Sequence, residues 1–339
     1  MRHALVVTSI APPTDAMRAL ADGARACGWA LICIGDKRSP ERYDLDGAEF
    51  LSLGQQLDSG YRLAASLPTG HYARKNLGYL LAIEGGAACI AETDDDNLPL
   101  AAFWQHREAE VAARMLSRVG WHNPYRHFSD AMVWPRGLPL EAVHEAAAAA
   151  TQPVEIGRAH CPVQQELANG DTDVDAVYRL TRGELVAFED RGPLILGERA
   201  WTPFNSQSTH WWDEVFELLY LPSFCTFRMT DIWRSFVAQA CLWPCGWRLA
   251  YRGPTMVQER NPHNLLRDFE AEVPGYLYNA EIIRRFEALE MEPGTDGIRN
   301  NMRRCYETLV DMQLVDAKEL DLLELWFDDL DFCFAGVGL

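Results

Sequence analysis

The chain has 339 residues, 48% of them hydrophobic and 24% charged, so it can bury a large core and is not disordered overall. With 31 Lys and Arg against 49 Asp and Glu, its formal net charge is −18, which excludes a generic nucleic-acid binder, since such proteins need a basic face. An acidic chain can still hold a phosphorylated small molecule through a divalent cation bound by its carboxylates.

In chain order, residues 4–8 form an apolar run that reads as a buried strand, followed by a helix over 15–27 with Ala16, Leu20 and Ala24 on one face. Strands are expected at 29–34 and 49–53, an Ala/Leu-rich helix at 72–85 and a further strand at 87–92. This alternation predicts an α/β fold with a mostly parallel central sheet, flanking helices and a ligand crevice at the carboxyl ends of the strands. Farther on, the pattern predicts helices at 103–117 and 140–150, a polar irregular stretch at 151–170 and short strand pieces at 179–197. Helices follow at 213–220 and 230–242, and two amphipathic helices span 280–330. No linker or repeat marks a boundary, so the expectation is a catalytic domain over 1–280 and a C-terminal helical cap over 281–339. Within it, 1–100 and 101–280 read as two halves.

Nine cysteines without a compact framework read as reduced thiols, and Cys241 and Cys245 lack the second ligand pair that a zinc site needs. No window approaches the ~18 apolar residues of a membrane span, and the apolar run at 4–7 is too short for a signal peptide. The expectation is a cytoplasmic protein without a transmembrane segment. No feature specifies its oligomeric state.

The most informative segment is Glu92-Thr93-Asp94-Asp95-Asp96-Asn97. Three carboxylates directly after an apolar strand repel one another unless a cation offsets them, so a divalent metal is the natural occupant; the alternative is an exposed acidic turn. In extended geometry Asp94 and Asp96 share one side and Asp95 takes the other. Arg74, Lys75 and Asn76 open the preceding helix, where cations can meet an anion that the metal also holds, or simply a solvated helix start. Gly35-Asp36-Lys37 is good turn chemistry at a strand end. Asp231 either caps the amides of its helix or serves as a base, and Asp173-Val174-Asp175, with no apolar strand before it, reads as a loop.

Several stretches, in order, resemble the STELLO glycosyltransferase family. They include Thr8-Ser9-Ile10-Ala11-Pro12-Pro13-Thr14, Gly35-Asp36-Lys37, Tyr72-Ala73-Arg74-Lys75-Asn76-Leu77-Gly78-Tyr79 and the acidic triplet. Trp134-Pro135-Arg136-Gly137, Asp173-Val174-Asp175, Pro203-Phe204-Asn205-Ser206-Gln207-Ser208-Thr209, Phe227-Arg228-Met229-Thr230-Asp231-Ile232-Trp233-Arg234 and Gln258-Glu259-Arg260-Asn261-Pro262-His263 continue the match. More distantly, the order is similar to the reversibly glycosylated polypeptides, which act as UDP-arabinopyranose mutases; this chain has Leu138 where their loop carries an aromatic. The resemblance implies a GT-A-like nucleotide-sugar transferase fold, with 1–100 as the nucleotide-binding half and 101–280 as the sugar and acceptor half, a UDP-sugar donor, an unidentified acceptor and Mn²⁺ or Mg²⁺ as cofactor. It assigns Asp94, Asp96 and His263 to the metal, and Thr8, Asp36, Lys37, Arg74, Lys75, Asn76 and Asp95 to the nucleotide. Asp231 becomes the base, Arg136, Asn205, Gln207 and Arg228 become sugar or acceptor contacts, and Trp233 stacks on a sugar face. A nucleotide-sugar mutase and a non-catalytic nucleotide-sugar-binding scaffold are the competing readings.

Overall fold

The computed structural model describes residues 2–149, 155–259 and 264–337. Its first part follows the expected alternation: β1 (His3–Thr8), α1 (Asp15–Cys27), β2 (Ala30–Ile34), β3 (Ala48–Leu51), α2 (Leu53–Leu57), α3 (Arg62–Ser66), α4 (Lys75–Glu84) and β4 (Cys89–Thr93). Thr14 caps α1 by accepting the Met17 amide, and Gly28 ends it in the left-handed conformation that a side chain disfavours. Side chains alternate across the strands, so Ala4 and Val6 join the core under α4 while Leu5 and Val7 join the smaller core under α1. Gly78 lets α4 lie flat on the sheet, because a Cβ there would stand 2.5 Å from Val6 and 2.9 Å from Ile34.

The chain continues through β5 (Asn97–Pro99), β6 (Glu110–Leu116), β7 (Gly120–Trp121), α5 (Tyr125–Phe128), α6 (Val143–Ala149), β8 (Glu155–His160) and β9 (Val163–Gly170). Next come α7 (Ala176–Thr181), β10 (Leu194–Leu196), β11 (Ala200–Trp201), β12 (Ser208–Trp212), α8 (Thr230–Leu242) and β13 (Leu249–Gln258). The helices α9 (Leu265–Phe286), α10 (Ile298–Asp311) and α11 (Lys318–Val337) complete it. The large sheet runs β3-β2-β1-β4-β12-β9-β13-β10-β6-β8, with β5 paired to β13. Its first four strands are parallel; β12 then enters antiparallel to both β4 and β9, and parallel and antiparallel pairs alternate beyond it.

The α/β architecture with flanking helices is as expected, and the differences lie in the second half. Residues 110–116 form a strand, not part of a helix: their helix-forming residues are overridden by pairing to β8 and β10, which buries Val111 and Ala113 on one face and Leu116 on the other. The polar stretch at 151–170 contains β8 and β9, and β9 is central even though Gln164, Gln165 and Glu166 stand in it. Their side chains are buried against partners, Gln165 Nε2 donating to the Ser208 carbonyl at 3.0 Å and Gln164 Nε2 to the Glu108 carbonyl at 2.8 Å. At the C-terminus there are three helices instead of two, and the expected division at 280/281 falls inside α9.

The C-terminal helices pack on the rest of the chain, since Leu323, Trp326 and Leu330 belong to the same core as β1 and α4. Asp329 accepts the amides of Arg62 and Leu63 at 2.9 Å each, and Glu319 accepts those of Ser223 and Phe224, so α11 closes two chain turns with carboxylates. All nine cysteines are free thiols. Among the described residues no helix is long and apolar enough to cross a membrane.

Candidate active site

A cleft of about 420 Å³ opens at the carboxyl ends of β1, β2 and β4. One wall is built from the loops after β1 and β2, including Thr8, Ser9, Asp36, Lys37 and Arg38; the floor is the triplet Asp94 to Asp96 after β4. The opposite wall comes from the later part of the chain: Arg136, Ser206 just before β12, and Phe227, Arg228 and Asp231 around the start of α8. Because β4 lies between β1 and β12 in the sheet, the acidic triplet necessarily separates these two walls.

Each aspartate of the triplet turns to a different neighbour. Asp95 accepts from Ser9 Oγ at 2.6 Å, and its carbonyl accepts from Thr14 Oγ1 at 2.7 Å, tying the floor to the cap of α1. Asp96 accepts from Gln258 Nε2 at 3.2 Å, and Gln207 Nε2 in turn donates to Gln258 Oε1 at 2.5 Å. Asp94 accepts from the Tyr72 hydroxyl at 3.2 Å and lies 3.7 Å from the Lys75 ammonium. Burial pushes the Asp94 carboxyl up to about 7, against the pull of Lys75 and with a further push from Asp96 and Asp231. One third of its side-chain surface remains open to the cleft. No group of three or more His, Cys, Asp or Glu gathers to hold an ion among the described residues. Asp94 and Asp96 are two hard oxygen donors open to one cleft, and phosphate oxygens can complete the shell of a Mg²⁺- or Mn²⁺-sized ion, so this donor set fits such a metal.

The opposite wall is a buried charge network. Asp173 receives Arg136 Nε and Nη2, each at 2.8 Å, while Asp231 receives Nη1 at 3.0 Å and Nη2 at 2.9 Å. A further Arg136 N–H reaches the Arg228 carbonyl. Asn205 Nδ2 donates to Asp173 at 2.9 Å. Burial on its own would raise the Asp231 carboxyl, but the Arg136 guanidinium bound to it holds it below the usual carboxylate range. Ser206 Oγ donates to Asp231 Oδ2 at 3.4 Å and also contacts the Tyr72 hydroxyl, so a hydroxyl chain links Asp231 to Asp94 across the floor. Gly137 makes the Arg136 loop possible: it adopts φ 92°, and a Cβ would stand 2.5 Å from Ile232.

Of the residues singled out from sequence, Thr8, Asp36, Lys37, Arg74, Asp94, Asp95, Asp96, Arg136, Arg228 and Asp231 line the cleft. Asp36 turns its carboxylate to the amides of Lys37, Gly70 and His71, so it shapes the wall as well as facing the space. Others behave differently from expectation. The Arg74 guanidinium binds Gln56 at 2.6 Å and the carbonyls of Ala64 and Leu67, so it secures α2 and α3. Lys75 is fully buried beneath Asp94, donating to Tyr72 and the Thr93 carbonyl at 2.8 Å each. Asn76 does not meet a ligand; it clamps the Leu221 backbone through both amide atoms at 2.9 Å.

Trp233 is likewise not a sugar platform. It follows Asp231 by two positions, which places it on another face of α8, and it is buried with Nε1 on Asn279 at 3.0 Å. Asn205 and Gln207 stand behind the wall and position Asp173 and Gln258. His263 lies outside the described residues. Sequence reasoning missed Tyr72, Asp173, Ser206, Phe227 and Gln258, all but Asp173 facing the cleft. Phe227 is the exposed aromatic, 56% accessible, with its ring 5.9 Å from His71 and 6.1 Å from Tyr72. The signal was available, because each of these residues lies inside a quoted motif; Phe227 adjoins Arg228, which drew the assignment, and Asp173 reads as a loop because no apolar strand precedes it.

Comparison with known proteins bears on this geometry. A family model described as STELLO glycosyltransferases matches residues 228–336. Over 96% of the chain, the sequence is 30% identical to the Arabidopsis thaliana protein called probable glycosyltransferase STELLO2, and over 74% it is 31% identical to probable glycosyltransferase STELLO1. The chain spans less than half the length of these relatives, 44% and 34%. Among solved structures, the crystal structure of a mycobacterial protein aligns over 83% of this chain and 75% of its own, with 11% identity and a TM-score of 0.43.

Proposed function

The chain belongs to the STELLO family of glycosyltransferases, and from that premise we propose that it transfers a sugar from a nucleotide-sugar donor, a UDP-sugar, to an acceptor, using Mn²⁺ or Mg²⁺. The observation that carries this reading is the placement of Asp94 and Asp96 on the floor of one cleft with Asp231 on its far wall. The base and ribose lie against the loops after β1 and β2, the diphosphate over the triplet and the sugar toward Asp231 and Phe227.

Asp94 and Asp96 would hold a divalent ion, which would supply positive charge against the negative charge of the leaving diphosphate. Lys75 sustains the triplet from below, so that three carboxylates can stand together before any ligand arrives. Gln258 fixes Asp96 and Ser9 fixes Asp95, which sets the two outward carboxylates before binding. Asp231 receives the proton of the acceptor hydroxyl. Held ionised by Arg136, it is a weak base, and it takes that proton as the new carbon–oxygen bond makes the hydroxyl acidic. Phe227 offers an apolar face to the sugar ring.

The direct test is calorimetry with UDP and UDP-sugars, with and without Mn²⁺, on the wild type and on Asp94→Asn/Asp96→Asn. Binding of the wild type should require the metal, and the double variant should lose more than about a hundredfold in metal-dependent affinity while staying folded. Equal metal-dependent affinity in the double variant would refute the ligand assignment.

A further inference from the structure

The cations of the cleft differ in whether their donors are already taken. Arg74 commits its guanidinium to Gln56 and the carbonyls of Ala64 and Leu67, and Lys75 lies beneath the floor with its ammonium on Tyr72, the Thr93 carbonyl and Asp94. Arg136 has five N–H donors and makes five hydrogen bonds, two to Asp173, two to Asp231 and one to the Arg228 carbonyl. Lys37 and Arg38 stand on the loop after β2, on the side proposed for the base and ribose.

Arg228 is the exception. Its Nε donates to Glu272 Oε1 at 2.9 Å, and Nη2 lies 2.8 Å from that same oxygen yet makes no hydrogen bond among the described residues, although it is buried. Only 10% of the side chain is exposed, and the residue lines the cleft. A buried cationic N–H without an acceptor is costly, and a ligand oxygen is what would satisfy it. The group is also held in place from both ends. Its backbone carbonyl is bound by Arg136, and Glu272 is fully buried, accepting from the Ala176 amide at 2.7 Å and the Tyr276 hydroxyl at 2.5 Å.

The charge of the cleft decides which oxygen this is. Four carboxylates line it, Asp94, Asp95, Asp96 and Asp231, so an anion that enters without a cation of its own is repelled. A nucleoside diphosphate enters together with a divalent ion, for which Asp94 and Asp96 are suited. The far wall reaches that part of the floor: the Phe227 ring, next in the chain to Arg228, lies 6.1 Å from the Tyr72 ring, and the Tyr72 hydroxyl is on Asp94.

Resting on the nucleotide-sugar reading above, we infer that Arg228 Nη2 donates to an oxygen of the donor's β-phosphate, so that Arg228, and not Arg74 or Lys75, is the far wall's cation for the leaving diphosphate. This is a different role from the sugar or acceptor contact that the resemblance implies for it. When the anomeric carbon–oxygen bond breaks, its electron pair stays on the β-phosphate oxygen, the acceptor oxygen forms the new bond to the anomeric carbon, and the acceptor's proton goes to Asp231. A fixed guanidinium at the β-phosphate binds more strongly as that charge grows.

The test is calorimetry at saturating Mn²⁺ with UMP, UDP, UDP-glucose and UDP-glucuronate on the wild type, Glu272→Gln and Arg228→Gln/Glu272→Gln. The double variant avoids leaving a lone buried carboxylate, and in it the preference for UDP over UMP should fall by at least about tenfold, with both sugar nucleotides weakened alongside UDP. Glu272→Gln alone leaves the Arg228 charge unopposed, so the same preference should rise by about threefold or more, a direction that a merely structural role does not produce. A preference unmoved in either variant with its thermal midpoint intact overturns the inference. That includes a loss confined to the sugar nucleotides, which would assign Nη2 to a sugar hydroxyl, and one confined to UDP-glucuronate, which would assign it to a sugar carboxylate. If the double variant does not fold, Glu272→Gln decides, and a preference that does not rise overturns the inference while the nucleotide-sugar reading stands. Failure of all four ligands to bind the wild type sinks that reading and the inference with it.

Discussion

The two walls of the cleft solve the same problem, holding charge at a sheet edge, in opposite ways. The wall after β1 and β2 is made of short loops in a parallel βαβ frame, with Lys37 and Arg38 exposed and only Asp36 tied back, to its neighbouring amides. The wall after β12 is a closed network in which Arg136, Asp173, Asp231, Arg228 and Glu272 are all buried or nearly so. The first wall can adapt to a ligand at little cost. The second is fixed before the ligand arrives, because moving any member strands its partner without water. On the proposed function, that difference puts adaptable recognition on one side and pre-organised chemistry on the other.

The sharpest way to break the comparison is Arg136→Ala. It leaves two buried carboxylates facing each other, and urea unfolding should show a loss of about 3–5 kcal/mol, whereas Lys37→Ala on the open wall should change stability by no more than about 0.5 kcal/mol. Comparable losses for the two would mean that the walls are not built differently. Next, Asp231→Asn keeps the shape and one partner of Arg136, so donor binding should persist while turnover falls by about 10²–10⁴-fold in initial-rate assays. Unchanged turnover would show that another group accepts the proton.

Opposite effects separate the two aromatics. Phe227→Ala should weaken binding of the sugar nucleotide by about 1 kcal/mol relative to UDP and leave the thermal midpoint in place. Trp233→Ala should do the reverse, losing about 3–5 kcal/mol of stability through a core cavity. The smallest expected effect is one of pH and lies away from both walls. Burial disfavours the charged form of His210 and holds its pKa well below the ordinary histidine value, with Arg107 nearby adding to the effect. Below about pH 6.5 the unfolded chain therefore binds a proton that the folded chain does not, and stability falls as the pH drops through that region. Urea midpoints at about pH 7.5 and 5.5 should fall on acidification in the wild type, and by less in His210→Phe. An equal fall in both would assign the slope to His71, His122 and His127, which burial also holds below the ordinary histidine value, since the raised carboxyls of Asp94 and Asp175 act in the opposite sense.

The first 100 residues were readable because parallel strands buried on both faces are continuous apolar runs, and their loops fall at one edge by topology alone. The triplet after β4 stood out for the same reason, as charge immediately following a buried strand. The second half was less readable because its strands are polar: β9 carries Gln164, Gln165 and Glu166 into the middle of the sheet, where side-chain hydrogen bonds offset their burial. Residues 110–116 were misread because helix propensity gives way to sheet pairing. Among the site residues, sequence placed the acidic floor and Asp231 at the cleft, but it could not separate a cation that faces ligand from one that ties the protein together. Arg74 and Asn76 showed this, and so did Trp233, whose position on α8 is fixed by what packs around the helix.

By itself, then, the sequence determined the parallel frame, the acidic floor and the list of polar residues near it, since each depends on local pattern. Only the tertiary structure decided which charges were already neutralised. That is a matter of distance between residues such as Arg136, Asp173 and Asp231, separated by up to 95 positions in the chain and brought to within 3.0 Å in the fold. A local pattern cannot record such pairing, because the electrostatic state of a buried group is set by what the fold places against it.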